Sequence, residues 1–326
     1  MTLSAVLDAS EMGVIFAIMA LGVYISFRIL NFADLTVDGS FVTGGAVAAV
    51  MIVNGVSPIL ASLAALVAGF LAGCLTGILH TKGKINDLLS GILMMLALYS
   101  INLRIMGLTL DSGVSRPNIP LLNSETIFTQ VQAFFTRFGL TEYGVLISMV
   151  ILTFIFKFVT DYFLKTEIGL SLRATGDNKR MIRSFSANTD GVIILGLGIS
   201  NGFVAFSGAL IAQYNQFSDV GMGIGMIVVG LASIIIGEAI FGKKTIARTT
   251  LAVVFGAIIY RIFITLALNQ GILDASDQKF VTAIIVILAL VFPKMLEKRR
   301  EKKRKAKHQL SAKLNGKARE EGESIA

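Results

Sequence analysis

The sequence predicts an all-α polytopic membrane protein with eight to ten transmembrane helices, some of them broken or re-entrant, and an internal pseudo-repeat. Composition is the first reason: 54% of the 326 residues are hydrophobic, 15% are charged, and mean hydropathy is +0.76. Run length is the second, because the apolar stretches reach the ~20 residues with which a helix crosses the bilayer core. The third is punctuation: clusters of polar, Gly or Pro residues bound each stretch, as turns between spans require.

Taken in order, the expected spans are 11–30, 35–53, 58–79, 87–106, 143–164, 190–213, 221–241, 247–268 and 279–296. The first reads as a span and not as a cleaved leader, since no basic segment precedes it and no small-residue cleavage site follows it. A single cysteine, Cys74, excludes an internal disulfide framework, and two histidines, His80 and His308, cannot form a histidine metal cluster. No metal site is expected.

Charge then orients the spans. Twelve basic and five acidic residues follow Pro293, a net +7 of the chain's +8. A tail reading KRREKKRKAKH directly after an apolar run marks a cytoplasmic C-terminus, and it reads as a topology signal with a solvated, disordered extension, no nucleic-acid partner being assigned. Alternating back from it places 80–87, 165–190 and 242–248 in the cytoplasm, all basic, and 107–142, 214–220 and 269–278 outside. The expected division is a transmembrane domain over 1–296 and a basic cytoplasmic tail over 297–326.

Within the outer loop, Ile127, Phe128, Val131, Phe134, Phe135 and Phe138 recur at helical spacing, which predicts an amphipathic helix capped by Asn123 or Ser124 and stopped at Gly139. The cytoplasmic segment predicts a turn at Thr175-Gly176-Asp177, with Asp177 capping a short helix that carries Met181, Ile182 and Phe185 on one face. Arg173, Lys179, Arg180 and Arg183 flank that face. A short helix held between two spans is suited to fit a groove on a soluble partner.

The stretch NFADLTVDGSF, residues 31–41, places Asp34 and Asp38 between two apolar runs. Intramembrane carboxylates cost ~2.5–3.5 kcal/mol on insertion scales, so they cap interrupted helices or face a cavity. Asp34 or Thr36 is expected to cap the helix starting near Val37. A second break over 217–230 repeats Phe32, Asp34 and Gly45 as Phe217, Asp219 and Gly230 at a constant offset of 185. Paired interruptions of this kind point to a transport pathway at a repeat interface. The candidate pathway residues are Asn31, Asp34 and Asp38 with Asn201, Gln213, Asn215 and Asp219.

Other charges have simpler readings. Lys157 and Asp161, one turn apart, are expected to pair on the surface of their span; Arg261 has no evident partner, and Glu238 could reach it only if the preceding segment is broken. Gly69, Gly73, Gly77 and Gly198, Gly202 permit close helix packing. The stretch GEAIFGKKT, residues 237–245, nearly spells a phosphate-binding loop, but it lacks Ser/Thr directly after Gly242-Lys243 and follows a span instead of a strand. With no nucleotide site and no general base inside a span, catalysis is not expected.

NFADLTVDGSF, GLSLRATGDNKRMIRSFSANTDGVI (169–193) and the Gly-rich GMGIGMIVVGLASIIIGEAIFG (221–242) together resemble the permease subunits of bacterial ABC importers of the branched-chain amino acid and ribose superfamily, over roughly residues 10–295. The first motif looks most like the branch associated with tryptophan/tyrosine importers. The resemblance implies a bacterial cell-membrane permease paired with a second permease protomer, two ATPase subunits that carry ATP and Mg, and an external substrate-binding lipoprotein. It implies that the cytoplasmic region 171–188 is a coupling helix, with Arg173, Thr175, Gly176, Asp177, Asn178, Lys179, Arg180, Arg183 and Ser184 engaging the ATPase. Membrane lipid is also expected as a partner, nucleic acid is not, and no cofactor is expected in this chain. A stand-alone ion-coupled secondary transporter is the alternative.

Overall fold

The computed structural model describes residues 3–108, 117–137, 139, 143–184 and 188–268, together with Phe280, Ala283, Ile284 and Ile287. The chain order is α1 (Leu3–Val23) with a π-helical extension (Tyr24–Ile29), α2 (Thr36–Val53), α3 (Pro58–Thr81), α4 (Asp87–Met106), β1 (Asn118–Pro120), α5 (Ile127–Thr136), α6 (Gly144–Phe163), α7 (Glu167–Ser184), α8 (Thr189–Asn215), β2 (Phe217–Asp219), a 3₁₀ turn (Val220–Gly223), α9 (Met226–Phe241) and α10 (Ile246–Leu268). Eight helices among the described residues are long and apolar enough to cross a membrane. The ninth expected run, 279–296, lies almost entirely outside the described residues.

Burial sorts the spans into centre and rim. The apolar windows of α1, α2 and α8 are each 78% buried, whereas those of α3, α4, α6 and α9 are 28–39% buried and present Leu, Ile and Phe outward, as lipid-facing helices do. The glycine ladder explains how α3 docks. A Cβ at Gly69, Gly73 or Gly77 would strike Asn201 and Ala205, Leu197, or Ile194, so the three glycines let the backbones of α3 and α8 touch within the chain.

The pseudo-repeat is visible in the element lengths. Leu3–Ile29 and Thr189–Asn215 are each 27-residue helical runs at an offset of 186, and each is followed by an interruption, a helix that continues the crossing beyond it, and a third span. α1 packs on α10, and α8 packs on α3. The two units run in opposite directions. Arg28, at the end of α1, meets Glu238 at the end of α9, while Asp190, at the start of α8, meets Arg183 at the same basic end of the bundle. The short sheet sits at the far end, with Asn118 opposite Asp219.

Several local expectations are corrected. Thr126, not Asn123 or Ser124, caps α5, through a reciprocal box with Thr129; Phe138 lies outside the described residues. The 175–177 segment is not a turn, because α7 runs through it and breaks at Asn178 (φ −154, ψ 86). The Asn178 carboxamide oxygen accepts from the Met181 amide at 3.1 Å, so the cap stands one residue after Asp177. Phe185 is outside the described residues. Lys157 and Asp161 do pair, at 2.5 Å, but they are buried against α10, where the Thr250 hydroxyl donates to Asp161 at 2.6 Å.

Candidate functional site

The first interruption begins where α1 widens into its π turn, closed by Leu30 N–H to the Ile25 carbonyl, and ends in a left-handed Asn31 (φ 52). The chain then climbs to Asp34, which has no exposed surface. One carboxylate oxygen accepts the Thr36 amide at 2.9 Å and starts α2; the other accepts the Asn201 side-chain amide of α8 at 2.6 Å. Beside them the Thr36 and Thr76 hydroxyls share a hydrogen bond at 2.8 Å. Four elements therefore meet in one sealed polar cluster: the α1–α2 break, α2, α3 and α8.

At the second interruption Asp219 accepts the Gly221 amide at 2.7 Å, the same two-residue turn that Asp34 makes with Thr36, at the offset of 185. The chain from Ser218 to Gly225 descends along α2, close enough that a Cβ at Gly45 would meet Met222 and Ser218, and one at Gly223 would meet the Asp38 backbone. α9 starts inside the bundle after a left-handed Gly225 (φ 87). Its free amides are satisfied from a distance: Asp38 accepts Gly225 N–H at 2.9 Å and Ile227 N–H at 2.8 Å. A carboxylate at the positive end of a half-helix is electrostatically well placed.

Two cavities flank this descending segment, and Ile224 lines both. One, of about 260 Å³, lies between α2 and α4 and is almost wholly apolar, with Asp38, Tyr99 and Asn102 on its wall. The other, of about 590 Å³, is lined by Met12, Phe16, Asn215, Phe217, Met222 and Arg261 among others. Arg261 donates to the Met12 sulfur at 2.9 Å and lies 5.4 Å from the Phe16 ring centroid. Glu238 does not reach it, being held by Arg28 in a two-pronged pair at 2.8 and 2.9 Å.

Of the seven candidate pathway residues, Asp38 and Asn215 line these cavities. Asp34 and Asn201 form the sealed cluster instead. Gln213 is also buried, accepting the Ile127 amide at 3.0 Å and donating to Ser62 at 2.8 Å, so it ties the outer helix α5 to α8 and α3. Asp219 caps the 3₁₀ turn. Asn31 lies at the basic end, in a cavity of about 180 Å³ with Thr175, Gly176 and Lys179.

That placement joins the break to α7. Gly176 abuts the Ile29 carbonyl, which any larger side chain would strike. Lys179 reaches His80 of α3 at 3.4 Å, and Arg183 donates to Thr189 and Asp190 at the base of α8, at 3.1 and 2.8 Å. Burial, and then the charge of Arg183, hold the Lys179 ammonium below the usual lysine range. Arg173 and Asp177 border a separate polar cavity of about 480 Å³ with Arg28, Glu238, Lys243 and Lys244. Thr175 is buried and bonds back to the Ser171 carbonyl, while Asp177, Asn178, Arg180, Met181 and Ser184 are exposed at the kink.

Residues 6–290 match the family described as branched-chain amino acid transport system, permease component. Over 285 residues the chain is 44% identical to the tyrosine transport system permease protein of Clostridioides difficile (strain R20291), covering 87% of this chain and 90% of that one. It is 34% identical over 292 residues to an uncharacterized protein of Rickettsia prowazekii (strain Madrid E), covering 88% and 97%. The ribose import permease of Escherichia coli (strain K12) is 25% identical over 278 residues, covering 84% and 81%. No solved structure matches the chain.

Proposed function

The chain belongs to the branched-chain amino acid transport system permease family, and from that premise we propose that it is one protomer of a homodimeric ABC importer for an aromatic amino acid. The basic end faces the cytoplasm, where the kink of α7 docks into an ATPase subunit; the end carrying α5 and the short sheet faces outward and receives solute from an external binding protein. The amino-acid class is supported by the 44% identity to a tyrosine permease, against 25% to a ribose permease.

One observation carries the mechanism. The kink of α7 holds the basic ends of three spans: Gly176 on Ile29 after α1, Lys179 on His80 of α3, and Arg183 on Asp190 of α8. All three lead to the same buried cluster, through Asp34, Thr76 and Asn201. A rigid displacement of the kink by the ATPase is thereby delivered to the point where α2 begins, and α2 carries Asp38, which holds the start of α9. Packed interfaces of this kind shift between discrete arrangements instead of bending. ATP-driven motion in this way reaches the interrupted segment between the two cavities.

The test is uptake into proteoliposomes containing this chain with the ATPase and the binding protein. Tyrosine accumulation that requires ATP supports the reading; accumulation by the chain alone under an ion gradient contradicts it, and the ion-coupled carrier would replace it.

A further inference from the structure

Among the described residues, Arg261 is the charged group of the interior that no opposite charge matches. Among the described residues no carboxylate forms an ion pair with it, and its Nε is buried without a hydrogen-bond partner. Among the described residues it donates to a thioether, which is a weak acceptor, and lies over the face of Phe16. Burying a guanidinium with such partners costs stability, and arginines inside a bundle usually pair or face a cavity. Here the cavity is present, and its volume of about 590 Å³ falls in the range of small-molecule sites, ~300–1,000 Å³.

The start of a half-helix is the other group expected to bind an anion in a transport pathway. In this chain that position is taken, because Asp38 already accepts the amides of Gly225 and Ile227. Among the described residues Arg261 is then the group left with donors to spare toward an anion entering the cavity. Around it stand Phe16, Met12, Met222 and Phe217, apolar and soft, which suit an aromatic side chain.

We infer that Arg261 receives the α-carboxylate of the amino acid in transit, with the substrate's ring against the Phe16 and methionine wall of the same cavity. This rests on the amino-acid importer reading above. It makes Arg261 a specificity residue of the permease itself, separate from whatever selection the external protein exercises.

Equilibrium binding to the detergent-solubilised permease–ATPase complex, without the binding protein, tests it with tyrosine and with tyramine, which lacks the carboxylate. Wild type is expected to bind tyrosine at least about tenfold more tightly than tyramine, the loss expected of a charge-assisted pair. R261Q should bring tyrosine to the tyramine level and leave tyramine unchanged, while R261K restores part of the preference. Retained discrimination in R261Q, equal binding of both ligands by wild type, or parallel loss of both ligands in R261Q and R261K overturns the inference. Absence of any ATP-dependent amino-acid uptake by the reconstituted wild-type system would instead remove the reading beneath it.

Discussion

Asp38 holds Gly225: its carboxylate accepts that amide at 2.9 Å across 187 residues of chain, and the next-but-one amide, of Ile227, at 2.8 Å. The start of α9 therefore depends on a side chain from α2. Removing the acceptor leaves two amides unsatisfied, at about 1–3 kcal/mol for each buried group. D38A should lower the unfolding temperature in detergent markedly, and D38N, which keeps one acceptor oxygen, should fall between it and wild type. Equal stability of D38A and wild type would show that α9 is capped by other means.

The Asp34–Asn201 bond, at 2.6 Å, lies in a cluster with no exposed surface. N201A strips a buried carboxylate of a donor, a loss of about 1.5–3 kcal/mol for a hydrogen bond to a charged group. Combining N201A with D34A should cost less than the sum of the single changes. Strict additivity in that double-mutant cycle would mean the two side chains are not coupled.

Gly73 lies directly over the Leu197 carbonyl, whereas the nearest atom to a Cβ at Gly202 would be the Leu66 carbonyl at 3.3 Å. Overpacking a close helix contact costs about 1–3 kcal/mol. G73A should destabilise the solubilised protein well beyond G202A; the reverse order would contradict the α3–α8 contact.

In the proposed mechanism Gly176 bears on coupling. A leucine there pushes α7 off Ile29 while leaving the exposed face of the kink unchanged. G176L should retain the ATPase on purification and lose most of its uptake. Uptake equal to wild type would remove Gly176 from the route.

Much of this architecture is legible in sequence because span length and turn punctuation are local signals. The breaks are also legible, since NFADLTVDGSF supplies capping residues where an uninterrupted span has none. Partnership across the chain is not. Nothing in the sequence near Gly225 marks its amides as free, and nothing near Asp38 marks it as their acceptor. Sequence offers Glu238 to Arg261 only through a broken segment, and the fold gives Glu238 to Arg28 instead. Arg261 has no nameable partner in sequence for a physical reason: a methionine sulfur and a ring face carry no charge to search for. The α7 break falls on Asn178 and not Asp177, since either side chain can cap and the choice depends on where Gly176 docks.

The proposed transport mechanism stands on engagement of an ATPase at the kink of α7. The most direct measurement is purification from the native membrane of the wild-type chain and of a D177K/R180E variant, both positions being exposed at the kink. An ATPase is expected to accompany the wild type under mild extraction and to be lost from the variant, with the unfolding temperature of the permease unchanged. Recovery of the ATPase with both chains, or with neither, would contradict that engagement.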